Sequence, residues 1–120
     1  MRLYIPLGWP QVQELVDADE LDGPLPACGV DPSWRAGAPE VGEEEWEFEA
    51  QLAAAESLAD LGGGVVLAAD IEVPEARPAD GWVTVAGPIR RTDAAAVLTT
   101  DLAWYGVQEI PGLLQDWCGA

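Results

Sequence analysis

The chain has no histidine, no lysine and no asparagine, and among its 120 residues the only cations are five arginines. Without histidine there is no Ser-His-Asp or Cys-His nucleophile system, no imidazole-bound zinc and no side chain with an ordinary pKa near neutrality. Without lysine there is no Schiff base and no phosphate-binding loop of the G-x-x-x-x-G-K-[ST] kind. Any catalysis is left to carboxylates, Tyr, Ser, Thr, Cys, Arg or a bound metal. Cysteine is scarce too. Cys28 and Cys118 are far apart and form no C-x-x-C, so neither metal-ligand nor redox spacing is present and two free thiols are expected. Long apolar runs are also missing. The opening MRLYIPLGWP is broken by Pro6 and fits neither a secretory signal nor a membrane span. These features point to a cytoplasmic protein, where disulfides are rare.

What is abundant is acid. Twenty-two Asp and Glu give a net charge of -17. Self-repulsion on this scale favours solubility and disfavours direct contact with nucleic-acid phosphates or anionic lipids. Hydrophobic residues nevertheless make up 49% of the chain, with six Trp, which is enough apolar surface for a folded domain rather than an acidic tail. One domain spanning residues 1–120 is the expectation. Plentiful Ala, Gly and Pro fit a GC-rich genome, although that bias does not account for the lack of histidine. The acidity is open to two readings, a surface that is merely solvated and a face shaped for a basic partner.

Hydrophobic periodicity predicts the elements in order. Residues 2–6 read as a strand, with Leu3 and Ile5 on one face, Tyr4 on the other and Pro6 at its end or on an edge. Pro10 opens a helix with Val12, Leu15, Val16 and Leu21 as its stripe, stopped by Gly23-Pro24. Its acidic end fails as a calcium loop because the ligand positions and the glycine are out of register. Residues 25–30 form a short strand, and 31–42 a loop with Trp34 against the core. A long helix covers 43–61. Glutamates crowd its start, Gly62-Gly63-Gly64 stop it, and Phe48, Leu52, Ala55 and Ala59 are its expected buried line, with Leu58 beside them. The glycine run leaves a helix and enters a strand, the reverse of a phosphate cradle. Residues 65–73 alternate as a strand and should pair with a second strand over 82–89 in an antiparallel hairpin near the centre of the sheet. Residues 95–100 fit a strand or a short helix. Asp101 then caps a last helix whose apolar face is Ala103, Val107, Ile110, Leu114 and Trp117, kinked or broken near Glu109 and Ile110 by Pro111.

This order predicts an α+β domain, with a mixed or mainly antiparallel sheet of four to five strands packed against three helices. Met1 to Pro6, the strand Val65-Val66-Leu67-Ala68-Ala69-Asp70, and Trp104-Tyr105 followed by Gln108-Glu109 resemble a family of short actinobacterial proteins, a domain of unknown function. That resemblance implies a cytoplasmic protein and brings no activity with it.

Two candidate sites follow from the residues. Tyr4, Tyr105, Gln108 and Glu109, together with an arginine, could line a pocket for a small polar ligand, the arginine fixing an anionic group and Glu109 acting as acceptor or base. The plain alternative is an ordinary amphipathic helix exterior. Glu43, Glu44, Glu45, Glu47 and Glu49 form an acidic face for a partner, or simply the acids that a helix start favours. No motif calls for a cofactor or a metal, since Asp70, Glu72 and the acidic helix end have no specific ligand spacing. The leading functional expectation is a non-catalytic interaction or regulatory module that binds a basic protein. A small-molecule enzyme using Tyr105 and Glu109, and an acidic DNA mimic, are the alternatives.

Overall fold

The first strand of the chain forms the middle of its sheet. In the computed structural model, which describes residues 2–30, 36–38, 40–71, 82–86 and 88–118 with side chains to Gln115, β1 (Arg2–Gly8) pairs antiparallel along its whole length with β4 (Gly64–Asp70). On its other side β1 meets β3 (Leu25–Cys28) at Tyr4 and Cys28. The strands β5 (Trp82–Val85), β7 (Ala94–Leu98) and β8 (Trp104–Tyr105) complete a six-stranded sheet in the order β5-β3-β1-β4-β7-β8, every neighbouring pair antiparallel. A separate ribbon joins β2 (Glu20–Leu21) to β6 (Ile89–Arg90). Among the described residues, the helices α1 (Trp9–Ala18), α2 (Glu43–Ser57) and α3 (Ile110–Cys118) cover the sheet. The α+β class and the antiparallel sheet agree with the sequence reading, while the strand count exceeds four to five. The expected 82–89 strand is divided between the sheet and the ribbon, and β8 lies where a helix was expected.

Strand alternation sends side chains to two different layers. Leu3, Ile5, Leu7, Val65, Leu67, Ala69 and Val97 face one side, where α1 contributes Val12 and Leu15, the ribbon Leu21 and Ile89, and α3 Ile110 and Leu114. Tyr4, Cys28, Val66, Ala68 and Leu98 face the other, packed against Ala50, Ala54 and Ala55 of α2 and Leu58 of the following 3-10 turn. A central strand buried on both faces explains why β4 is apolar almost throughout. Asp70, at its exposed end, is the first side chain of β4 to reach solvent.

Several expectations are corrected. β4 does not form a hairpin with β5; it lies between β1 and β7, while β5 pairs with β3 at the far edge. Apolar alternation identifies a strand's buried faces, but not its neighbours. Pro6 sits inside the central strand opposite Val66, not at its end or on an edge. α2 is rotated from the expected setting. Phe48 is 49% exposed and Ala59 is exposed, whereas Ala50 and Ala54 are fully buried, because small side chains let the helix approach the sheet closely enough to enclose Tyr4. Residues 101–109 are not helical: a turn leads into β8 and then into a 3-10 turn (Val107–Glu109), and α3 starts only at Ile110. Pro111 therefore lies in the first turn of a helix, where it is tolerated, rather than kinking a longer one. Ile110 and Leu114 are buried as expected, and Val107 packs against the same core. The expectations for Trp34, Glu72 and Val73, and for the side chain of Trp117, fall outside the described residues.

Candidate functional site

α2 carries the acidic face. Its N-cap is Gly42, and Glu43, Glu44 and Glu45 occupy the first turn, where the exposed N–H groups of the helix favour negative charge. Glu44, Glu45 and Glu49 are exposed. Because α2 packs through its alanines, Phe48 points away from the sheet; it lies one turn after Glu44 and one turn before the half-buried Leu52, with exposed Glu56 a further turn on. A large aromatic ring is thus held in water along a row flanked by carboxylates.

Glu47 belongs to a different environment. Its Oε2 accepts a 2.7 Å hydrogen bond from the Tyr4 hydroxyl, which in turn accepts one from Gln51 Nε2 at 3.2 Å. The β1–α2 packing creates this arrangement by placing Tyr4 under the helix. Burial, with the bond to Glu47 acting in the same direction, pushes the Tyr4 phenol up to about 12 despite the opposing Gln51 donor. Beside it, the Arg2 guanidinium forks onto Asp70, Nε to Oδ1 at 2.8 Å and Nη2 to Oδ2 at 3.1 Å. The hydrogen bond holds Asp70 below its ordinary value, and Arg2 above its own. Cys28, opposite Tyr4, is an unbridged thiol raised to about 11 by burial. None of these partnerships was read from the sequence; alternation placed Tyr4 on the second face but gave no sign of which helix would cover it.

Tyr4 and Tyr105 cannot share a pocket. Tyr105 pairs with Val97 and therefore lies on the α1/α3 side of the sheet, opposite Tyr4. The β7–β8 hairpin that positions it closes through Thr99 N–H to the Ala103 carbonyl and Leu102 N–H to the Thr99 carbonyl, with Leu102 in the left-handed region. Trp104, next to Tyr105 but on the opposite face, is 50% exposed. Tyr105, Gln108 and Glu109 do come together, although not as turns of one helix. With Gly112 and Leu113 they line a cavity of about 300 Å3. One Glu109 oxygen accepts the Gly106 N–H at 2.8 Å, which fixes the carboxylate's orientation. Gln108 also lines an adjoining cavity of about 460 Å3 with Arg91, Thr92, Ala94 and Val107. Arg91 is thus the arginine brought alongside this group. Its Nη2 lies 2.8 Å from Asp19 Oδ1, an ion pair at the solvent edge.

The glycine run borders a third cavity, of about 330 Å3, with Trp9, Thr99, Thr100 and Leu113. Its glycines have structural duties. Gly62 and Gly63 close the 3-10 turn in left-handed conformations, and a side chain on Gly64 would collide with the Leu7 carbonyl. Among the described residues no group of three or more Cys, Asp or Glu could hold a metal ion, and no helix is long and apolar enough to cross a membrane.

A family model matches residues 1–99, a span that runs from the start of the chain through β7 and includes Arg2, Tyr4, α2, Asp70 and Arg91. The chain belongs to this family of unknown function, DUF6912. Tyr105, Gln108 and Glu109 lie beyond the matched span. No curated protein and no solved structure matches the chain.

Proposed function

We propose that this DUF6912 protein is a non-catalytic interaction module that binds a basic protein through the outer face of α2. The observation that carries this reading is the outward setting of Phe48, 49% exposed between Glu44, Glu45 and Glu49. A solvated acidic helix has no need of an aromatic ring at the centre of its outer face, whereas a binding face uses such a ring as its anchor and the surrounding carboxylates for steering. The net charge of -17 adds long-range attraction for a cationic partner.

Affinity capture of tagged wild-type protein, the Phe48→Ala variant and the Glu45→Lys/Glu49→Lys variant from lysate of the source organism, at low and high salt, tests the reading. The expected result is one basic protein retained by the wild type at low salt, weakened by high salt and lost from both variants. Equal retention by all three proteins would reduce the acidic face to solvation. If the captured protein binds DNA and duplex DNA displaces it, the same face acts as a DNA mimic.

A further inference from the structure

The two adjoining cavities on the α1/α3 side bring together groups of opposite charge that the α2 reading does not use. One is lined by Arg91 and Thr92, and the other by Glu109 and Tyr105; Gln108 lines both. Ala94, Val107 and Leu113 supply apolar surface along the way. We propose that this groove binds a small zwitterion of dipeptide size, its carboxylate at Arg91 and Thr92 and its ammonium at Glu109 and Tyr105. The charge of each end follows from the donors and acceptors present. Arg91 shares one guanidinium nitrogen with Asp19, and the fork retains further N–H donors for a planar carboxylate. A dianionic phosphate is a poor fit, because a single, partly neutralised arginine would have to hold it against a net charge of -17. At the other end Glu109 uses Oε2 for the Gly106 N–H, leaving Oε1 for an ammonium.

The position of the Gln108 amide depends on Gly106. Its backbone is ordinary, with φ at -71, but a Cβ there would lie 2.5 Å from both terminal atoms of the Gln108 amide. The missing side chain thus lets the Gln108 amide fold back against Gly106, and because Gln108 lines both cavities its carbonyl and amide are available to the peptide group of the ligand. Gly106→Ala displaces that amide without straining the main chain.

Titration of the 15N-labelled protein with glycyl-leucine, followed by amide chemical shifts, tests the proposal, with propionate, ethylamine and inorganic phosphate as single-charge and dianion probes. Saturable shifts confined to residues 91–94 and 105–113 are expected for the dipeptide, with affinity reduced about tenfold or more in Arg91→Gln and in Glu109→Gln, the loss of one charge-assisted contact. Propionate should respond to Arg91→Gln and not to Glu109→Gln. Thr92→Val, at an exposed position, should weaken dipeptide binding even if Arg91→Gln fails to fold. No saturable shift with the dipeptide, equal binding by the variants, or tighter binding of phosphate than of dipeptide would each overturn the proposal.

Discussion

Beneath α1 and α3 the sheet presents Leu3, Ile5, Leu7 and Leu67, while beneath α2 it presents Tyr4, Cys28, Val66 and Ala68. The helices answer in kind: Val12, Leu15, Ile110 and Leu114 on the first side, Ala50, Ala54 and Ala55 on the second. One face is filled by branched aliphatic volume, and the other is closed by bringing backbones near each other around a buried phenol. The contrast has a functional side, because a helix anchored by alanines leaves its large residue, Phe48, for the outside.

The largest test of this contrast is Leu67→Ala, which opens a cavity on the aliphatic face. A loss of about 2–5 kcal/mol is expected, read as a lower urea midpoint with an unchanged slope. The opposite change, Ala54→Leu, overfills the close face and should cost about 1–3 kcal/mol by the same measurement. If it costs nothing, α2 has room to move away and the close approach is not what encloses Tyr4.

The smallest effect is expected from Tyr4→Phe, which keeps the ring and removes the hydroxyl between Glu47 and Gln51. The loss at neutral pH should be about 0.5–1.5 kcal/mol. The alkaline limb is more telling. The Tyr4 phenol is raised to about 12 in the folded protein, above its ordinary 10.0, so its contribution is fully present below pH 10 and is lost as pH rises through about 12. Cys28, raised to about 11 from 9.0, loses stability in an overlapping range. Denaturant melts between pH 9 and about pH 12 should therefore fall more gently in Tyr4→Phe than in the wild type, with the Cys28 part of the decline retained. Parallel slopes would show that the phenol does not feel the burial that α2 imposes.

The sequence carried part of this plan. β1 and β4 were evident from alternation, and α2 from its glutamate-rich start and the Gly62 stop, because these signals are local. The rotation of α2 was not legible. Hydrophobicity ranks Phe48 above Ala50, whereas the close approach over Tyr4 selects for smallness, and nothing local records how near another layer will come. β8 escaped notice because two residues are too short for a period to show, and its strand character comes from pairing with β7. Tyr105, Gln108 and Glu109 line one cavity and Arg91 a neighbouring one, and the amphipathic helix exterior read from the sequence is absent because residues 101–109 turn, pair with β7 and turn again. The inclusion of Tyr4 failed because an odd or even position in a strand fixes a side relative to its neighbours in sequence, and only pairing relates that side to Tyr105 across the sheet.

The central position of β1 also has a consequence for how the chain reaches this structure. Synthesis begins at the N-terminus, so the sheet's middle strand emerges first and remains without its full-length neighbour until β4 has been made. The Arg2–Asp70 fork closes a separation of 68 residues. Such a distant pairing demands that much of the loop entropy be lost before the apolar contacts of β1 are gained, which slows folding relative to a chain of local hairpins. During that interval the backbone edge of β1 stands open to any other strand, and it is the arrival of residues 64–70 that closes it.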